Sequence, residues 1–420
     1  MLLIVGFFLI QGFALYLLRQ VLVSIDYFYL EQISVFLLTV NSILFAVVCW
    51  KKSKNRYEFL LLFSAYLIRV SALLWDILGR DIFVLPSSGI DTEVFQQYAV
   101  YFANGVELNR GGVYFRIVGL IYRLFGVQRI TAQYFNVVLS MFSIFLVKNI
   151  LASLVLSEKI RMLALAMMAF LPYYVIMSSI LLRESVIIFL ITVSLYFFIK
   201  WWQSGALFSF VIAIVCPLVA ALFHSGSMAP TVAYALIFLF YLPKQRRYKF
   251  SLKTVSVALA FLAIFFLVDT FLGVGMFRQF DRINSVDDIV DVTVRGGAGY
   301  LRWMDAVGTA GLILFSPIRM FYFIASPLPW YWRGFHDIFG FLGSSLFYVA
   351  SYYFLFRQLR NKNYANHKLV LALLVIALFS SFMFAWGVNN AGTALRHRDK
   401  FISIFIVSFA VGWDGFVIKK

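Results

Sequence analysis

The sequence predicts an all-α polytopic membrane protein with about 12 transmembrane helices, and three observations carry that prediction. Of 420 residues, 63% are hydrophobic and only 13% charged, whereas soluble domains run near half apolar and a quarter charged. The apolar residues fall in runs close to the roughly 20 residues that cross a hydrocarbon core. Basic residues collect in short stretches between those runs, as cytoplasmic loops do. Runs of that length exclude a membrane β-barrel, and the composition excludes a cytosolic enzyme or a disordered chain. The net charge of +17 therefore reports sidedness, and nucleic acid is not an expected partner.

Spans are expected at 2–19, 30–50, 57–75, 131–156, 162–178, 186–202, 206–223, 227–242, 254–272, 336–356, 369–387 and 401–418. The first run has no basic segment before it and no small-residue cleavage site, so it reads as an uncleaved span. Cys49 and Cys216 lie inside apolar runs and form neither a disulfide framework nor a zinc motif. The basic loops are Lys51/Lys52/Lys54/Arg56, Lys159/Arg161, Lys244/Arg246/Arg247/Lys249/Lys253, Arg357/Arg360/Lys362/Lys368 and Lys419/Lys420. All fall on the cytoplasmic side, with both termini, provided that 309–332 does not cross. Pro317, Pro327 and Pro329 interrupt that stretch, and its SPLPWYW segment has interfacial composition.

Three parts follow. Residues 1–56 form two additional N-terminal spans. Residues 57–242 form a membrane module with a long external loop over 76–129, and residues 243–420 a C-terminal membrane region with external loops over 273–334 and 388–400. Most of the unusual polar residues fall in these external segments. In the first loop, helical spacing of Val94, Phe95, Tyr98, Ala99 and Phe102 predicts an amphipathic helix beginning near Asp91 and ending at Asn104-Gly105. A second runs from Val113 to Phe125 and carries Arg116 and Arg123. Both are expected to lie on the bilayer surface.

Arg183 and Glu184, between two apolar runs, are costly at membrane depth unless paired or facing a polar cavity. A structural ion pair at a helix end is the bland alternative. Arg396, His397 and Arg398 place three donors within one helical turn, which suits a phosphate group. They also suit a basic cap on anionic headgroups. His224 is a lone histidine between two spans. The mixed charges of Arg278–Asp305 assign no single residue, and their aspartates are too loosely spaced for a calcium loop.

A span ending in an external Asp, two juxtamembrane helices and a return span resemble the opening of the GT-C class of membrane glycosyltransferases. The residues that carry the resemblance are Arg69, GIDTEVFQQYAVYFANG from Gly89 to Gly105, and GVYFRIVGLIYRLFG from Gly112 to Gly126. It implies a general base at Asp91, which would take the proton of an attacking hydroxyl. The other role open to Asp91 is a helix N-cap, with Glu93 favouring the helix dipole. The second external loop of the class resembles Met177–Ser185, which implies that Glu184 contacts a metal or donor phosphate with Arg183 beside it. A divalent metal ion is the one cofactor this leaves open. The Arg of that loop is displaced relative to the two serines, and the resemblance covers roughly 57–242 and fades beyond.

The implied activity is sugar transfer from a polyprenyl-linked donor to a glycan or lipid-linked acceptor. It would occur on the external face of a bacterial cytoplasmic membrane, in surface-polysaccharide synthesis. The chain also resembles Wzy-like polymerases, which join oligosaccharide repeats carried on undecaprenyl diphosphate and use external Arg and His residues, here in LLRES, LFHSG and ALRHRDK. A lipid-linked oligosaccharide transporter is the third reading. Deep ionisable residues and paired halves would mark it, and Arg69 is the one deep charge.

Overall fold

The computed structural model describes residues 29–106, 108, 112–252, 254–260, 298–301 and 314–417. The expected spans 2–19 and most of 254–272 lie outside the described residues, as do most of loop 273–334 and Lys419/Lys420. The secondary structure of the described residues is helical apart from a hairpin in the basic loop, β1 (Tyr241–Leu242) against β2 (Arg247–Tyr248), and an isolated bridge between Gly299 and Asn390. Among the described residues five helices are long and apolar enough to cross a membrane: Arg56–Leu78, Arg129–Ser153, Glu184–Ser204, Phe335–Gln358 and His367–Ala385. Each matches an expected span. Two compact units are distinguished, residues 1–141 with 175–185 and residues 142–174 with 186–420.

In the first unit, α1 (Tyr29–Lys52) and α2 (Arg56–Leu78) are joined by a turn in which Asn55 caps the Glu58 N–H at 2.9 Å. Leu62, Ala65, Tyr66, Arg69, Val70, Leu73 and Asp76 recur at three- and four-residue spacing and form the buried face of α2. Tyr66 stacks on Phe45 at 4.5 Å, and its hydroxyl bonds to Ser42 and Tyr134, each at 3.0 Å.

The two amphipathic helices are present as α3 (Ile90–Ala103) and α4 (Tyr114–Phe125). Gly89 occupies the N-cap of α3, and Thr92 Oγ1 both accepts from the Gly89 N–H and donates to its carbonyl. Asp91 is the second helical residue, so the N-cap role open to it in the sequence belongs to Gly89. Gly105 turns the chain at φ +86°, a conformation that glycine adopts without steric cost. The two helices pack through Gly119, where a Cβ would lie 2.6 Å from the Phe102 ring and 3.0 Å from the Ala99 carbonyl. Arg123 closes the C-terminus of α3, donating to the Phe102 carbonyl at 2.5 Å and lying over the Phe102 ring. The chain then enters α5 (Arg129–Ser153).

In the second unit the expected span 162–178 is instead two helices, α6 (Glu158–Phe170) and α7 (Pro172–Met177). Pro172 supplies no N–H to continue α6, so the helix ends at Leu171. After α8 (Glu184–Ser204), expected spans 206–223 and 227–242 form α9 (Leu207–Ala221) and α10 (Ala229–Phe240), apolar but shorter than a full crossing. The Pro-interrupted stretch gives α11 (Ser316–Ala325), ten residues and too short to cross. Then come α12 (Phe335–Gly340), continued through a π turn into α13 (Leu346–Gln358), and α14 (His367–Ala385), α15 (Ala391–Arg398) and α16 (Ile402–Val417). Helix α14 is buried nearly all round, with α10, α11, α13 and α16 against it. Gly412 lets α16 approach α13, since a Cβ there would stand 2.9 Å from the Phe354 backbone.

Candidate functional site

The first unit gathers three polar segments that are distant in sequence. Asp76, expected to open a loop, lies in the last turn of α2, fully buried. Gln133 donates to its Oδ2 at 2.6 Å and Arg129 at 3.3 Å. Arg129 reaches Glu93 of α3 at 2.7 Å, and Arg80 reaches the same oxygen at 2.6 Å. Burial pushes the Glu93 carboxyl up, but hydrogen bonds and charge from Arg129 and Arg80 outweigh it and hold the group below the usual glutamate range. Glu93 is thus the hub of an ion-pair network that fixes the start of α3, a stronger tie than the helix-dipole role read from the sequence. Asp91, two residues earlier, is exposed.

Asn136, fully buried in α5, donates to the Tyr114 hydroxyl at 2.9 Å and to the carbonyls of Ile180 and Leu182 at 2.8 and 2.9 Å. Ser178 and Ser179 return their hydroxyls to the Val175 carbonyl. The 178–185 segment is thereby clipped to α4 and α5. Arg183 lies over the Phe95 ring at 5.9 Å, and Phe95 meets the Tyr114 ring edge-on at 5.1 Å. Arg183 therefore sits against the helix that carries Asp91. Glu184, fully buried, is the first residue of α8. Arg69 is fully buried and donates to the Ala65 carbonyl one turn back.

The other expected residues belong to the second unit. Residues 298–300 bridge to 388–391, with Tyr300 N–H on the Asn389 carbonyl at 2.8 Å and Ala391 N–H on the Ala298 carbonyl at 3.0 Å. Helix α15 follows. Its half-buried Arg396 and His397 remain accessible, but Arg398 is 1% exposed. The guanidinium of Arg398 donates to the carbonyls of Phe323, Ile324 and Ser326 at 2.7 to 3.1 Å and to the hydroxyls of Ser344 and Ser345. The donors of Arg398, for which the sequence suggests phosphate binding, are engaged by the protein's own acceptors, and they anchor α15 to α11 and the π turn. The neighbouring Asp399 accepts from Tyr348 at 2.7 Å, and burial pushes its carboxyl up to about 6.

His224 does not stand alone. Its ring lies 4.7 Å from that of His397 and 5.0 Å from that of Phe384, and Lys400 Nζ bonds His397 Nδ1. Lys400 is fully buried, and little in the sequence alone marks it, Asp76, Arg129, Gln133 or Asn136 as a site residue. Polar residues three apart inside an apolar span, as Gln133 and Asn136 are, were the available signal for the last two. Among the described residues no three His, Cys, Asp or Glu side chains gather around a metal-sized site. Comparison with protein-family models, curated proteins and solved structures finds no match for the chain.

Proposed function

We propose that this chain is an integral membrane glycosyltransferase acting on the external face of a bacterial cytoplasmic membrane. It would move a sugar from a polyprenyl-phosphate-linked donor to a glycan or lipid-linked acceptor in surface-polysaccharide synthesis. One observation carries the reading: the helix bearing exposed Asp91 packs against Arg183 across some ninety residues of sequence. Asp91 takes the proton of the acceptor hydroxyl as its oxygen attacks the anomeric carbon. The bond to the carrier phosphate breaks, and Arg183 offsets the charge that develops on that phosphate. Glu184, buried beside Arg183, holds the loop's charge balance. The ion pairs of Glu93 with Arg80 and Arg129 fix the start of α3 and so the direction of Asp91.

The test is glycan output in a deletion host complemented with Asp91→Asn, with membrane abundance checked. Loss of glycan at normal abundance supports the reading, and retained glycan sinks it. The cluster of His224, His397 and Lys400 beside Arg396 favours a second reading, a Wzy-like polymerase in which these groups hold a carrier diphosphate. A dispensable Asp91 with an indispensable Arg396 would select it.

A further inference from the structure

Within the second unit a shallow surface cleft opens among Tyr300, Ser326, Leu328, Tyr331, Arg333 and Asp337. Tyr300 and Ser326 also make the backbone contacts described above, whereas Leu328, Tyr331, Arg333 and Asp337 take no part in those sites. One wall is aromatic. Tyr331 is 43% exposed, with the rings of Tyr322 and Trp330 at 6.1 and 6.4 Å from its own.

The rim carries a charge pair that is already compensated. Arg333 donates through Nε and Nη2 to the two carboxylate oxygens of Asp337, each at 3.0 Å, and its backbone N–H adds a third bond at 2.9 Å. The fork is held by one edge only. The side chain is 49% exposed, and among the described residues Nη1 meets no acceptor, so two N–H groups of a pinned guanidinium are available to a ligand.

That combination selects a ligand chemistry. An aromatic face accepts the C–H face of a pyranose ring, and fixed donors beside it accept hydroxyl oxygens. A phosphate or carboxylate would meet an arginine whose charge Asp337 already neutralises. An acyl chain would desolvate the N–H groups without satisfying them. We propose that this cleft is a binding subsite for a neutral sugar residue of the acceptor glycan, seated on Tyr331 and hydrogen-bonded by Arg333 Nη1. The ligand class rests on the glycosyl-transfer reading; the geometry of the cleft does not.

The experiment is a tryptophan-fluorescence titration of the purified full-length protein in detergent, with Trp330 as the neighbouring reporter. The probe is the neutral oligosaccharide fraction released by mild acid from the surface polysaccharide of the producing cells. Saturable binding is expected, retained within about threefold in Tyr331→Phe and weakened about tenfold or more in Tyr331→Ala. Arg333→Met combined with Asp337→Asn, which leaves no uncompensated carboxylate, should weaken binding similarly, and this variant and Tyr331→Ala are compared with the wild-type protein at matched monodisperse elution. Absence of binding by the wild-type protein, or equal binding by Tyr331→Ala, overturns the proposal. So does quenching of Trp330 by brominated phosphatidylcholine in nanodiscs with no response to oligosaccharide, which assigns the aromatic wall to the bilayer interface. Asp91→Asn separates the two readings: it should bind oligosaccharide normally while making no glycan. Normal glycan output from a variant that still binds would refute the transfer chemistry and leave the subsite standing.

Discussion

Replacing Arg398 with alanine should destabilise the second unit before it affects any chemistry. The guanidinium meets five acceptors, three carbonyls of the 323–326 segment and the hydroxyls of Ser344 and Ser345. At about 0.6 kcal/mol per hydrogen bond inside a membrane protein, their loss amounts to about 3 kcal/mol. The emptied volume and the buried Asp399 next to it add to this figure. For a unit of this size the melting temperature should fall by about 6 °C or more, read by size-exclusion of a fluorescent fusion after heating in detergent. Arg398→Lys should recover little, because an ammonium cannot span the same five acceptors. Arg396→Ala, at a half-exposed position, should stay within about 1 °C. An unchanged melting temperature for Arg398→Ala together with lost glycan output would refute the anchoring role and return Arg398 to ligand binding.

Other outcomes follow from the same contacts. Arg129→Ala leaves Asp76 fully buried with Gln133 alone, so a loss of about 3 kcal/mol in thermal stability is expected, measured by the same assay. Gly119→Val drives a side chain into Phe102 and the Ala99 carbonyl and should cost about 1–3 kcal/mol, with faster proteolysis between α3 and α4. Asp399 titrates near 6 when folded against an ordinary 3.8. Between those values the folded state holds a proton that the unfolded state has lost, so stability should fall as pH rises from about 4 to 6 and level off above. Asp399→Asn should flatten that profile. The Glu93 network has the opposite sign: its contribution is present above the ordinary 4.5 and lost as pH falls below it. Glu93→Gln should remove that acid sensitivity.

Features set by local pattern were legible in the sequence. The apolar period of α3 and α4, the Asn104-Gly105 stop and five full-length spans all appear where residue spacing puts them. The break at Pro172 was written in the chain but overridden by the apolar run around it. What stayed hidden is tertiary. Arg398 and Arg396 look alike in ALRHRDK, and only the fold turns one into the bundle, where carbonyls from residues 323–326 await it. Asp76 reads as the first polar residue of a loop until Gln133 and Arg129, more than fifty positions away, close over it. His224 gains company only because α15 carries His397 back toward it.

The measurement that tests the transfer chemistry most directly uses the purified full-length protein in detergent. Lipid-linked sugars accumulated by the deletion host are supplied as donor, together with that host's acceptor glycan, without ATP or an ion gradient. Sugar incorporation by the wild-type protein and none by Asp91→Asn is the predicted result. Equal incorporation by both, or none by the wild-type protein, would contradict a glycosyltransferase whose base is Asp91.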